Sequence, residues 1–117
     1  MTGFRAPLSR PADFFGFWSQ TLAELARVAP AAGLEAAGRR AGILLQRLSF
    51  ASLGGVVLHG YLLRWEDKEP RPLVVHGHGY GGQVTPRWSW AGAGLNVVGV
   101  DVRGCGRSRA ALSSPSR

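Results

Sequence analysis

The sequence predicts a mixed α/β fold: an N-terminal helix, an antiparallel hairpin, and two parallel buried strands in an incomplete sheet. Three observations predict it. Apolar residues recur at helical spacing near the N-terminus. Two strand-like segments flank Ser52-Leu53-Gly54-Gly55. Two short apolar runs, Leu73–Val75 and Leu95–Val102, stand on either side of a crossover.

The helix is expected over residues 10–28. Phe14, Trp18, Leu22 and Leu25 fall on one face of a 3.6-residue period and read as a packing stripe. Pro11 and Asp13 suit a first turn, and Pro30 marks the stop. From Ala29 to Gly42 the composition shifts to Ala, Gly and Arg, and Gly33, Gly38 and Gly42 weaken any helix, so this stretch reads as a connector. Ile43–Phe50 and Val56–Arg64 form the hairpin. A charged turn, Trp65–Arg71, leads into Leu73-Val74-Val75, a continuous apolar run of the kind found in strands buried on both faces. After the Gly-rich stretch His76–Gly82, a Trp-containing segment is expected to hold a short helix ending near Gly92 or Gly94. Leu95–Val102 is the next buried strand. A strand, crossover and strand in series imply parallel pairing with a right-handed connection. Residues 108–117 read as an irregular tail, and positions 1–117 as a single partial domain.

Composition bounds the function. The 117 residues are 45% hydrophobic with four Trp, and the 17 Gly and 7 Pro stay below the low-complexity range, which marks a globular chain. The lone Cys105 cannot form an internal disulfide. The N-terminus has no apolar core of signal-peptide length, and no run approaches the ~20 apolar residues that cross a bilayer. A soluble, cytoplasmic protein with no membrane partner is the expectation. The net charge of +7 invites an acidic partner, yet every basic residue but Lys68 is Arg, scattered from Arg5 to Arg117. Only Arg39-Arg40 and the Arg103, Arg107, Arg109 group cluster. Scatter of this kind argues against a nucleic-acid stripe.

The richest segment is His76-Gly77-His78-Gly79-Tyr80-Gly81-Gly82. Gly77, Gly79 and Gly82 formally match a dinucleotide-binding fingerprint, with Asp101 placed to take a ribose hydroxyl. Thr85 and Pro86 oppose it, because they interrupt the helix that should begin inside the motif. His76 and His78 could instead ligate a metal, but His59, Cys105 and the carboxylates supply no partner at metal spacing. Histidines held by backbone hydrogen bonds are the plainer alternative. A third reading is an oxyanion loop: glycines let the backbone turn so that an N–H faces a developing negative charge.

Four stretches carry a family resemblance. They are Arg10-Pro11-Ala12-Asp13-Phe14 with Phe17-Trp18 and Thr21-Leu22; Phe50–Leu63, ending Gly60-Tyr61-Leu62-Leu63; Val74-Val75 with His78-Gly79-Tyr80-Gly81-Gly82; and Gly99–Gly104 with Gly106. In this order they resemble the N-terminal part of the acetyl xylan esterase and cephalosporin C deacetylase family, serine esterases of the α/β-hydrolase fold. The resemblance implies that Tyr80 gives its main-chain N–H to the oxyanion hole and so touches substrate. It also implies that Asp101 and Arg103 shape the loop after the next strand. For a full-length parent it implies a small acetylated sugar or cephalosporin-like substrate, a homo-oligomer, and no cofactor or metal. Cys105 stands where the family usually has Gln, and no strand-elbow pattern makes it a nucleophile.

Acyl transfer on this fold needs Ser in Gly-x-Ser-x-Gly, then an acid, then His. The nearest serine, Ser108 in Gly106-Arg107-Ser108-Arg109-Ala110, misses the pattern, and no Asp, Glu or His follows it. The chain therefore reads as a partial copy of a carbohydrate acetyl esterase that is inactive alone. An unpaired apolar strand edge is expected to make it aggregate. A dinucleotide-binding module and a non-catalytic basic binding protein are the alternatives.

Overall fold

The computed structural model describes Gly3 and residues 9–112. Its elements run α1 (Phe14–Ala26), β1 (Gly33–Arg40), β2 (Ile43–Ala51), β3 (Val57–Trp65), β4 (Leu73–His76), α2 (Trp88–Gly92) and β5 (Asn96–Asp101). Short 3-10 segments occupy Leu53–Gly55 and Gly106–Leu112. One five-stranded sheet forms in the order β1-β2-β3-β5-β4.

The expected hairpin is present as β2 and β3, paired antiparallel from Ile43↔Trp65 to Ala51↔Val57. β4 and β5 pair in parallel, from Leu73↔Asn96 to His76↔Gly99, as the crossover requires. β3 joins the two halves by pairing antiparallel with β5, His59 opposite Asp101.

Four expectations need correction. The Ala29–Gly42 connector contains a full strand: β1 pairs with β2 from Gly33↔Ser49 to Arg40↔Ile43. The two strands are joined by Ala41 and Gly42 at φ 48° and 83°, the two positive values of a type I′ hairpin turn. β1 has no apolar alternation because nearly all of it is exposed, so hydrogen bonding to β2 and its turn hold it in place. Second, β4 is not buried on both faces. It is the sheet edge, and Val75 is 68% exposed. Third, α1 does not bury its stripe; Trp18, Leu22 and Leu25 are exposed, Leu22 to 60%. Fourth, the first part of the stretch expected as an irregular tail, residues 108–112, belongs to the 3-10 segment Gly106–Leu112; residues 113–117 lie outside the described residues.

The core lies on one face of the sheet, where Ile43, Tyr61, Leu63 and Val97 meet Ala91 of α2. α2 is docked by a polar bond as well, Trp65 Nε1–H donating to Ala91 C=O at 2.9 Å, while Trp65 N–H donates to Oδ1 of Asn96 at the start of β5 at 3.0 Å. Among the described residues no helix is long and apolar enough to cross a membrane.

Candidate active-site loops

Parallel strands end side by side, so the loops after β4 and β5 are neighbours at one end of the sheet. After β4 the Gly-rich chain turns at once. Gly82 N–H donates to Gly79 C=O at 3.0 Å, closing a β-turn with Tyr80 and Gly81 at its centre. Gly81 takes φ 66°, the positive value that a type II turn needs at its third position. Tyr80 is fully exposed, and among the described residues its N–H donates to no backbone carbonyl. The main-chain donor expected at Tyr80 thus lies outside any helix or strand ladder.

His78 ties this turn to the second loop. Val102 N–H donates to its Nε2 at 3.1 Å, and its Nδ1 pairs with Gly79 C=O at 2.7 Å.

The loop after β5 is closed around Asp101, which is 2% exposed. One carboxylate oxygen accepts Val84 N–H at 2.7 Å and the other Arg107 N–H at 2.9 Å. Ser108, 1% exposed, donates from Oγ to Asp101 C=O at 2.7 Å and accepts His59 N–H at 2.9 Å. Gly106 permits this packing: its φ is +50°, and a Cβ there would sit 2.5 Å from Asp101 Oδ2. Arg103 reaches the other way, donating to Leu53 C=O at 2.6 Å and to Ser52 Oγ at 3.2 Å, and so pins the β2–β3 turn.

Beneath the loops Tyr61 spans the sheet face over Gly99. Its hydroxyl accepts Arg87 N–H at 3.2 Å and is hydrogen-bonded to His76 Nε2, while His76 packs edge-on against Trp90. Burial pushes the Tyr61 phenol above its ordinary value, with the Arg87 amide and guanidinium opposing it.

The family model for Acetyl xylan esterase (AXE1) matches residues 1–116. The chain belongs to the acetyl xylan esterase family. Acetyl xylan esterase 1 from Thermoanaerobacterium sp. JW/SL YS485 superposes with a TM-score of 0.77 at 25% identity, covering 83% of this chain and 32% of that one. The acetyl xylan esterase from Paenibacillus sp. R4 has the same fold, with a TM-score of 0.77 at 23% identity, covering 87% of this chain and 35% of that one. The chain spans about one third of the length of these structures.

Other features of this acetyl xylan esterase family member bear on the alternatives. Asp101 does not offer a carboxylate to a ribose, because both oxygens are taken by backbone amides inside the fold. The helix that should start within Gly77–Gly82 begins only at Trp88 and lasts five residues. The His76 and His78 rings are engaged by Tyr61, Val102 and Gly79, and among the described residues no three of His, Cys, Asp and Glu converge. Ser108, the serine nearest to an elbow pattern, is sealed by its two hydrogen bonds. Several arginines lie on aromatic faces: Arg71 on Trp65, Arg40 on Trp88 and Arg87 on Trp90.

Two cavities, of about 520 and 220 Å³, share Arg47, Gly60 and Arg107. The smaller runs beneath Gln83–Pro86, the segment that follows the Tyr80 turn. Neither is lined by Tyr80, whose turn stands on open surface. Sequence reasoning missed the roles of Ser108 and Gly106. The signal available was Gly106-Arg107-Ser108 a few residues beyond the strand that ends at Asp101, a pattern too short to separate a structural pin from chance.

Proposed function

We propose that this chain carries the oxyanion-donor part of a serine carboxylic-ester hydrolase acting on small acetylated substrates, acetylated sugars or acetyl esters such as cephalosporin C. The observation supporting this most strongly is the Tyr80 N–H, unengaged by backbone carbonyls among the described residues, in a glycine turn at the end of β4 of an acetyl xylan esterase family member. In such a reaction a serine hydroxyl attacks the acetyl carbonyl carbon, and the carbonyl oxygen becomes an oxyanion. Tyr80 N–H donates to that oxygen, alongside the amide following the nucleophile. One such donor is worth about 3 to 4 kcal/mol, or 10²- to 10³-fold in kcat. The alcohol then leaves with the serine's former proton, and water cleaves the acetyl-enzyme.

No serine of the 117 residues stands in Gly-x-Ser-x-Gly. The chain alone is therefore inactive in this reading. Purified chain mixed with an aryl acetate should give no turnover beyond buffer, and turnover abolished by a serine-directed inhibitor would contradict the proposal. Joined to the segment that follows the matched third in a family esterase, it should deacetylate acetylated xylo-oligosaccharides.

A further inference from the structure

We propose that His78 is a positioning residue: its imidazole fixes the plane of the Gly79–Tyr80 peptide and so aims the Tyr80 N–H. The inference rests on the reading of Tyr80 as an oxyanion donor, and its test is independent of any ester hydrolysis.

Val102 N–H can only donate, so Nε2 of His78 must accept, and the ring proton of the neutral imidazole sits on Nδ1. Nδ1–H therefore donates to Gly79 C=O, at 2.7 Å. That carbonyl is the other half of the peptide unit whose nitrogen belongs to Tyr80. A trans peptide is planar, with C=O and N–H directed oppositely, so holding the carbonyl orients the amide. Gly82 N–H grips the same oxygen from inside the turn at 3.0 Å. The peptide is thus held on its carbonyl side by two donors, and its N–H side is left outward.

The Gly82 bond alone does not anchor the turn to the rest of the fold. A β-turn closed by one hydrogen bond in a glycine-rich segment can swing as a unit. The bond from Val102 to His78 Nε2 supplies the anchor, because Val102 directly follows β5, whose last residue is locked by the Val84 and Arg107 amides. Packing agrees, since Gly82 lies against the ring: a Cβ there would meet His78 Nδ1 at 3.7 Å. One imidazole therefore links the rigid loop to the donor peptide.

The test uses the full chain in solution. The ¹⁵N spectrum of His78 should show Nδ1 protonated and Nε2 bare; the opposite tautomer would overturn the proposal. Residual dipolar couplings then report the Tyr80 N–H direction against those of the sheet. His78→Ala should collapse the Tyr80 coupling by at least half, leave the sheet couplings in place, and speed exchange of the Val102 amide about tenfold or more. His78→Asn, which keeps a donor near Nδ1 but cannot reach Val102, should recover part of the Tyr80 coupling while Val102 still exchanges fast. An unchanged Tyr80 coupling in His78→Ala would overturn the proposal. So would equal loss of the sheet couplings, which is the mark of a merely structural residue. A correctly aimed Tyr80 that proves dispensable for catalysis would instead overturn the oxyanion reading and leave the role of His78 standing.

Discussion

The two glycine-containing loops at the ends of β4 and β5 solve opposite problems. The loop after β5 is saturated: the Asp101 carboxylate, the Asp101 carbonyl and the Ser108 hydroxyl are all paired and buried. The loop after β4 is open, with Tyr80 fully exposed and its amide unengaged by backbone carbonyls among the described residues. A buried polar group without a partner costs about 1 to 3 kcal/mol, so a closed loop must pair everything. An exposed donor meets water and carries no such penalty, yet it is useful to a reaction only if its direction is fixed. The lesson is that the rigid loop serves as the frame for the open one, and His78 is the joint.

Disturbing the closed loop should have the largest effect. Gly106→Ala combines a left-handed backbone with a Cβ 2.5 Å from Asp101 Oδ2, and strain and overpacking together should cost about 3 kcal/mol or more in urea unfolding. Ser108→Ala leaves His59 N–H without its side-chain acceptor and should cost about 1 to 3 kcal/mol in the same measurement.

Tyr61 sharpens the comparison through pH. Its raised pKa means that the folded chain keeps a proton which the unfolded chain loses above its ordinary value of 10.0. The stability from neutral Tyr61 is therefore fully present below about pH 10 and declines as pH rises through the folded value. Tyr61→Phe should lower stability at neutral pH by about 1 to 2 kcal/mol, since Arg87 N–H and His76 lose their partner. It should also remove that alkaline decline, as read from urea midpoints across the range. The smallest effect belongs to α1: Leu22→Ser, on a face that the described residues leave exposed, should change stability by no more than about 0.5 kcal/mol.

Legibility in the sequence followed burial. β2, β3 and β5 are half-buried or buried, so their apolar patterns were readable, as was the parallel pairing of β4 with β5. β1 was illegible because an exposed strand of Gly, Ala and Arg carries no period; only the Ala41-Gly42 pair ahead of Ile43 hinted at a hairpin. β4 misled because its apolar run implies neighbours on both faces, and Leu73 and Val75 remain exposed. The stripe of α1 had the right spacing for a helix, but spacing says nothing of what covers it. In the candidate site, the turn around Tyr80 was legible through its glycines. The closed loop was not, because its bonds link residues as far apart as His59 and Ser108.

The central claim concerns one hydrogen atom, the Tyr80 amide proton. Proline is favoured at the second position of a type II turn and lacks an N–H, so Tyr80→Pro deletes the donor while suiting the turn. In the chain completed with the remaining segment of a family esterase, Tyr80→Ala should retain kcat to within a few-fold. Tyr80→Pro should lose about 10²- to 10³-fold with unchanged urea stability. A proline variant as active as the alanine variant would contradict the account.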